Sequence, residues 1–308
     1  MSTSSHLAGG IAGTGAARAV KRRDDRTRRR TKSKAGNRPG WVTYTILAVV
    51  MALSAYPLYY SFLLGSSDPV TIAQNPIPSL IPEGNFIDNV VRVVSSDIKF
   101  WQALLNSVIA ATIMAASVVF FSTLAGFAFA KLRFKGRAPL LVFVVATMAV
   151  PTQLSVVPLF ILMAKLGWTG RLEAIIIPGL VTAFGVFWMT QYLESALPFE
   201  LIEAARVDGC SMIRSFWQVA LPAARPAATM LGLFTFIGSW TAFFWPFIVL
   251  GSTNPTLPVA IQLLQASYFK DYSLILAGVT VAALPLVVVF VFAGRQLVAG
   301  VMQGAVKG

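Results

Sequence analysis

The sequence predicts an all-α polytopic membrane protein with six transmembrane helices, and three observations carry that prediction. Hydrophobic residues make up 56% of the 308 positions and charged residues only 12%, far from the averages of soluble domains. No Asp, Glu, Lys or Arg occurs in 39–67, 100–130, 138–164, 174–193, 226–269 or 272–294. Each run holds an apolar stretch of roughly 20 residues, the length that crosses a hydrocarbon core of about 30 Å as a helix. The basic residues then sort by side. If the N-terminus is inside, inner segments hold 20 of the 25 Lys and Arg and outer ones hold 5; without the first 40 residues the split is still 9 against 5.

Residues 1–40 carry eleven Lys and Arg between Arg18 and Arg38, among Gly, Ser, Thr and Ala. Such a segment cannot bury a core and is expected to be a disordered cytoplasmic tail. It accounts for much of the net charge of +13, so that charge argues for an orienting anchor and against nucleic-acid binding. The first span, about Trp41 to Leu64, is too long for the apolar core of a cleaved signal peptide and is expected to be retained.

Ser66 to Phe100 is a polar outer connection with Asp68, Glu83, Asp88 and Asp97 and with prolines at Pro69, Pro76, Pro78 and Pro82. The second span, about Ala103 to Ala130, bears Ser107, Ala110, Ala111, Ala115, Ala116 and Ser117, small residues that let helices approach closely in lipid. Lys131, Arg133, Lys135 and Arg137 form a basic inner loop. The third span, about Leu140 to Met163, is interrupted by Pro151-Thr152-Gln153. Pro151 removes a donor and leaves a carbonyl free, which at membrane depth marks either a simple kink or the wall of a pathway.

A short outer turn, Gly167 to Gly170, leads to the fourth span, Ala174 to Leu193, with Pro178-Gly179 inside it. Glu194 to Arg225 is a polar inner hairpin. The fifth span, about Ala227 to Leu250, includes SWTAFFWPF, whose Trp240, Phe243, Phe244 and Trp245 suit an interfacial belt or a sugar-stacking surface. Turn signals fill Gly251 to Pro258, a short outer helix is expected over Val259 to Phe269, and the sixth span covers about Ser273 to Ala293. Gly300 and Gly304 are spaced for close helix contact.

Chemistry is excluded by what the spans lack. One cysteine, Cys210, and one histidine, His6, permit neither an internal disulfide nor a Cys/His zinc site, and no metal is expected. Without Asp, Glu, His, Lys or Arg in the spans there is no acid, base or buried carboxylate for catalysis or for carboxylate-based ion coupling. Sodium bound by backbone carbonyls stays open. No Lys follows a Gly, so the chain has no phosphate-cradling loop and cannot itself be a P-loop ATPase.

The hairpin carries the most specific pattern. Glu203-Ala204-Ala205, Gly209 and Leu221-Pro222 stand at the spacing EAA-x3-G-x9-[IV]-x-LP, with Val219 at the aliphatic position. Pro198 suits a helix start, Glu200 and Glu203 an early turn where a helix favours negative charge, and Asp208-Gly209 a sharp turn. Ser211 is expected to cap a second helix that Ile213, Phe216, Trp217 and Val219 seat against the spans and that Pro222 ends. Taken alone, such a hairpin could simply link two spans on the bilayer surface.

The spacing resembles the signature of membrane subunits of binding-protein-dependent ABC importers. The resemblance extends over nearly all of the chain after Gly40 and narrows to the carbohydrate-type, maltose-like permeases through Asn106 to Arg137, Val150 to Phe160, Gly238 to Leu250 and the terminal GAVKG. It implies a six-span permease domain over 41–308 in the cell membrane, and a coupling loop within 194–225 in which Glu203, Ala204, Ala205, Asp208, Gly209, Leu221 and Pro222 dock on a cytoplasmic ATPase. It also implies three kinds of partner besides lipid: a second, different permease, two ATPase subunits that bind ATP and Mg, and an extracytoplasmic sugar-binding protein. The same resemblance would turn Gly251 to Lys270 toward that binding protein and GAVKG toward the ATPase pair. Gln153, Trp240 and Phe244 are the candidate pathway residues of this half. The basic tail departs from the family pattern and receives no transport role. A stand-alone ion-coupled sugar carrier and a membrane scaffold are the alternatives.

Overall fold

The computed structural model describes residues 40–75, 77, 79–265 and 270–305. The basic tail through Pro39, Pro76, Pro78, the end of the outer segment at 266–269 and the last three residues of GAVKG lie outside them. Compact units divide between Tyr59 and Tyr60. In the first, Trp41–Tyr59 belongs to a helix, α1 (Trp41–Gly65), that is apolar on every face and contains Pro57.

The second unit consists of helices joined by turns and irregular segments, with no strand among its described residues. The outer connection forms α2 (Pro69–Gln74) and the amphipathic α3 (Phe86–Ser95). Asp68 starts α2 by accepting the Val70 N–H at 3.3 Å. The second span is α4 (Phe100–Lys131), followed by α5 (Arg137–Thr147), a 3-10 turn at Thr152–Ser155 and α6 (Val156–Lys165). Then come α7 (Glu173–Ile176) and α8 (Ala183–Ala196), and the hairpin helices α9 (Phe199–Val207) and α10 (Met212–Ser215). After them lie α11 (Leu221–Trp240), α12 (Phe244–Leu250), α13 (Leu257–Leu264) and α14 (Tyr272–Ala305).

Among the described residues five helical stretches are long and apolar enough to span, or six if the pair in the third region counts as one. That pair bends by 86°, so the third span is two half-helices rather than a kinked rod. The break also satisfies itself: the Val150 N–H donates to the Thr147 carbonyl at 3.2 Å, the group Pro151 would otherwise leave without a donor. No cavity is needed for that carbonyl.

Two further expectations are corrected. Pro222 does not end the second hairpin helix. Backbone runs helically from Met212 to Trp240, through a π-helical segment at Phe216–Ala220 that widens the coil immediately before the proline. The Leu221 N–H reaches back to the Phe216 carbonyl, and Pro222 falls in the first turn of α11, where its missing N–H is tolerated. The fifth span stops at Trp240 instead of Leu250: Thr241–Phe243 leave the helix and α12 starts anew.

The core is built around α4, which packs against both α8 and α11 while those two also touch each other. Of the six small residues singled out in this span, Ser107, Ala110 and Ala111 are buried, Ala115 and Ser117 half-buried and Ala116 exposed, and a close crossing uses another, Gly126. A Cβ there would lie 2.7 Å from Met189 Cβ and 2.9 Å from the Thr190 nitrogen, so α4 and α8 meet backbone to backbone.

Indoles tie the remaining breaks together. Pro178 has no N–H to offer the Ala174 carbonyl one turn earlier, and Trp245 Nε1 donates to that buried oxygen at 3.0 Å. Ser117 Oγ donates to the Leu180 carbonyl at 3.1 Å, where α8 has not yet begun. These bonds explain how prolines and short helices persist in apolar surroundings.

At the outer end Asn89 Nδ2 donates to the carbonyls of Gly65 and Ser67, both at 3.0 Å, and Arg92 Nη1 donates to Asn89 Oδ1. Arg92 Nη2 then pairs with Asp271 Oδ2 at 2.7 Å, while Asp271 Oδ1 accepts the Leu274 N–H and starts α14. Burial alone would raise the Asp271 carboxyl, but hydrogen bonds from Ser273, Leu274 and Arg92 outweigh it and hold the group below its usual range. A depressed folded-state value means this stabilisation is complete above the ordinary carboxylate pKa of about 4 and disappears as pH falls through the lower folded value. Thermal unfolding of the solubilised protein should therefore show Asp271→Asn less stable than wild type at pH 6, with the gap closing toward pH 3. A gap independent of pH would refute the linkage.

Candidate functional site: the inner hairpin

The hairpin is built from local rules that its sequence satisfies. Pro198, with φ −57° and ψ 144°, is extended and sets up α9, whose first turn carries Glu200. At the other end Asp208 donates its N–H to Ala204, Gly209 to Arg206 and Cys210 to Ala205, at 3.0, 3.0 and 2.9 Å. Gly209 sits at φ +83°, the left-handed conformation that closes a helix C-terminus and that glycine adopts without strain. Ser211 Oγ then accepts the Arg214 N–H at 3.3 Å, the expected cap of α10. Gln218 Oε1 accepts from Arg214 Nε at 3.1 Å and stands 3.6 Å from Cys210 Sγ, which braces the turn from the far side.

One face of the hairpin is seated in the membrane unit. Leu197, Ile202, Phe216 and Ala220 are buried and join a cluster with Phe127 and Ala130 of α4, Met189 and Leu193 of α8, and Ala224 and Leu231 of α11. Phe216 stacks at a tilt on Phe127, with ring centroids 5.8 Å apart.

The opposite face has no such cover. Glu203, Ala204, Asp208 and Pro222 are exposed, and so are apolar side chains that water does not favour: Val207 is 88% exposed, Ile213 75% and Trp217 52%. Ile213 thus projects outward rather than seating the second helix, whereas Trp217, though 52% exposed, lies against Phe120 of α4 with ring centroids 6.0 Å apart and joins Phe216 and the half-buried Met212 and Val219 in that work. Helical spacing places Ile213 off the stripe that 212, 216 and 219 share. Within the EAA group, Ala204 faces out and Ala205, 9% exposed, packs inward. Leu221 is half-buried at the start of α11. Of the site residues read from the sequence, Glu203, Ala204, Asp208, Gly209 and Pro222 are thus exposed, Leu221 is half-buried and Ala205 is turned toward the support.

The pathway candidates are not gathered in the same way. Gln153 is exposed in the 3-10 turn at the 86° bend, and Phe244 is 54% exposed at the start of α12. α6 and α12 pack together, so the two broken spans converge. Trp240 belongs to the interior instead: it is 3% exposed, stacks on Phe236 at 5.8 Å, and its Nε1 donates to the Ala282 carbonyl of α14 at 3.2 Å.

Sequence reasoning missed the outer clamp. Asn106 Nδ2 donates to Asn254 Oδ1 and to the Pro255 carbonyl, both at 2.8 Å, Gln102 Nε2 donates to Asn254 Oδ1 at 2.8 Å, and Lys99 Nζ reaches the Thr253 carbonyl at 2.9 Å. This fixes the loop between α12 and α13 onto the first turns of α4. A polar run at the start of an apolar helix, Lys99, Gln102 and Asn106 at helical spacing, was the available signal.

Comparison with known proteins agrees with this anatomy. The family described as "Binding-protein-dependent transport system inner membrane component" matches residues 119–299, which contain the whole hairpin. The arabinooligosaccharides transport system permease protein AraQ of Halalkalibacterium halodurans is 31% identical, over 87% of this chain and 96% of its own. The lactose transport system permease protein LacG of Rhizobium radiobacter is 29% identical over 87% and 97%. The sn-glycerol-3-phosphate transport system permease protein UgpE of Shigella flexneri is 26% identical over 87% and 98%. Among solved structures, a chain of a bacterial ABC transporter that imports alginate superposes with a TM-score of 0.68 at 22% identity, covering 83% of this chain and 95% of that one.

Proposed function

Because the chain belongs to the binding-protein-dependent transport system inner membrane components, in the carbohydrate ABC-importer branch, we propose that it is one permease subunit of an ATP-driven importer for an oligosaccharide. The observation that carries this reading is the exposed turn of the hairpin: apolar Val207 and Ile213 on either side of Asp208-Gly209, with Glu203 exposed one turn before. An apolar surface rimmed by charge marks a contact with another protein. Here that partner is a cytoplasmic ATPase subunit, one of two, and those subunits hold ATP and Mg. Glu203 bonds across the interface, Ala204 and Gly209 permit close approach, and closure of the ATPases on ATP pulls the hairpin with them.

The pull reaches the spans through Phe216 and its neighbours, where α4, α8 and α11 meet. A second, different permease completes the pathway, with Gln153 and Phe244 on the wall of this half and Trp240 holding α11 to α14 behind it. The extracytoplasmic sugar-binding protein delivers solute to the outer face, toward the loop clamped by Asn106. Both termini lie in the cytoplasm by the distribution of basic residues. Names such as AraQ and LacG support the sugar, whereas UgpE belongs to a relative with a phosphorylated polyol as its cargo.

The alternative is an ion-coupled carrier working alone. Purified complex in liposomes separates the two: oligosaccharide uptake should require ATP on the ATPase side and should not respond to an imposed proton or sodium gradient. Gradient-driven uptake by this chain alone, without ATP, would refute the proposal.

A further inference from the structure

Three of the four basic residues between the second and third spans converge on the entrance of the hairpin. Lys131, the last residue of α4, is 8% exposed, and its Nζ donates to the Glu194 carbonyl at 3.3 Å. Glu194 lies in the last turn of α8, where carbonyls have no intrahelical donor and the helix end is negative. Arg137, opening α5, reaches to 3.7 Å from Glu194 Oε1. Arg133 holds its guanidinium carbon 5.4 Å from the ring centroid of Phe199, the first residue of α9. Between these contacts Leu132 packs against the cluster that contains Leu197, Ile202 and Phe216.

A loop that only orients the chain in the bilayer needs charge on the inner side and nothing more. Burying an ammonium is unfavourable unless it is bonded, so the burial and aim of Lys131 require a separate reason. Its partner supplies one. The loop grips the last turn before the hairpin and the first ring of the hairpin itself, on either side of the extended pair Leu197-Pro198. Ile202 already seats α9 in the core cluster, and this grip adds a second hold against rotation about those two residues.

We propose that Lys131, Arg133 and Arg137 are positioning residues that lock the pitch of α9, so that displacement of the hairpin passes into α4 and α8 instead of being absorbed at Leu197-Pro198. This rests on the reading of the hairpin as the element that receives force. The residues touch neither solute nor nucleotide. They set how much of each ATPase movement reaches the spans.

Two measurements test it. In the full-length chain in detergent, amide hydrogen exchange over 199–207 should speed up about fivefold or more in Lys131→Met and in the gentler pair Arg133→Ala/Arg137→Gln, and return to wild type in Lys131→Arg. In the complete complex in liposomes, the same variants should keep the ATPases bound and hydrolysing while sugar moved per ATP falls about fivefold or more, again with rescue by Lys131→Arg. The Arg133/Arg137 pair alters side chains at the surface, so a folding failure of Lys131→Met does not decide the matter. Unchanged exchange in that pair, or an unchanged ratio of sugar to ATP, overturns the proposal. Faster exchange in the pair, together with a wild-type complex that takes up no sugar on ATP, would support the lock and overturn the transport reading.

Discussion

Gly209→Pro and Glu203→Arg should each abolish ATP-driven uptake while the chain still inserts and assembles with its partner permease. Gly209 stands at φ +83° and donates its N–H to the Arg206 carbonyl at 3.0 Å. Proline is fixed near −65° and has no N–H, so the variant removes the bond and forbids the turn together. The angle between α9 and α10 then changes, and the exposed Val207 and Ile213, which flank the turn, shift relative to each other. Glu203 acts differently. It is exposed, and among the described residues its side chain makes no hydrogen bond or ion pair, so arginine there leaves the hairpin intact and reverses a charge at the proposed docking surface. Truncating or opposing a buried charge partner at an interface costs about 2–5 kcal/mol, a loss of binding of some 30-fold or more. Both variants should thus lose uptake and solute-stimulated hydrolysis in liposomes, with Gly209→Pro also failing to recover when ATPase is added in excess. If both keep uptake and stimulated hydrolysis, the hairpin is not the coupling element.

Gly126→Leu should prevent stable folding, and Gly126→Ala should already lower thermal stability. The Cβ that either residue adds would meet Met189 Cβ at 2.7 Å and backbone atoms of Met189 and Thr190 at 2.8 and 2.9 Å. Contacts that short require movement, and what must move is a helix backbone in the middle of the core. Overpacking ordinarily costs about 1–3 kcal/mol, and a backbone obstacle places these variants at or above the upper end. Size-exclusion recovery and melting temperature in detergent are the measurements. A Gly126→Leu protein that elutes and melts as wild type would mean that α4 and α8 do not cross here in the membrane. The hairpin cluster hangs from this crossing, since Phe127 and Met189 both belong to it. Uptake should therefore fall with stability in the alanine variant.

Much of the molecule was legible in the sequence because membrane insertion is governed by composition over a window. The absence of charge over 100–130 marks α4 at Phe100–Lys131 almost to the residue, and the same logic finds the ends of α1. The hairpin was legible for a different reason. Pro198, Asp208-Gly209 and Ser211 act on backbone atoms two to four residues away, so their effect does not depend on the rest of the fold. What Pro222 does was not legible, since a proline ends a helix or enters one according to whether the preceding turn can widen. The π segment at Phe216–Ala220, supported by Phe216 in the core, is what lets it enter.

By itself, then, the sequence determined the class of fold and the local geometry of the turn at Gly209, which depend on hydrophobicity and on short-range bonding. Only the tertiary structure decided which residues of the hairpin face outward, that the third span bends by 86°, that Trp240 is an internal tie and that Lys131 grips the end of α8. Those outcomes follow from packing between segments far apart in the chain. Trp240 meets Ala282 where α11 packs on α14, and Lys131 meets Glu194 where α4 packs on α8, and no short-range pattern in the sequence records where two helices will touch.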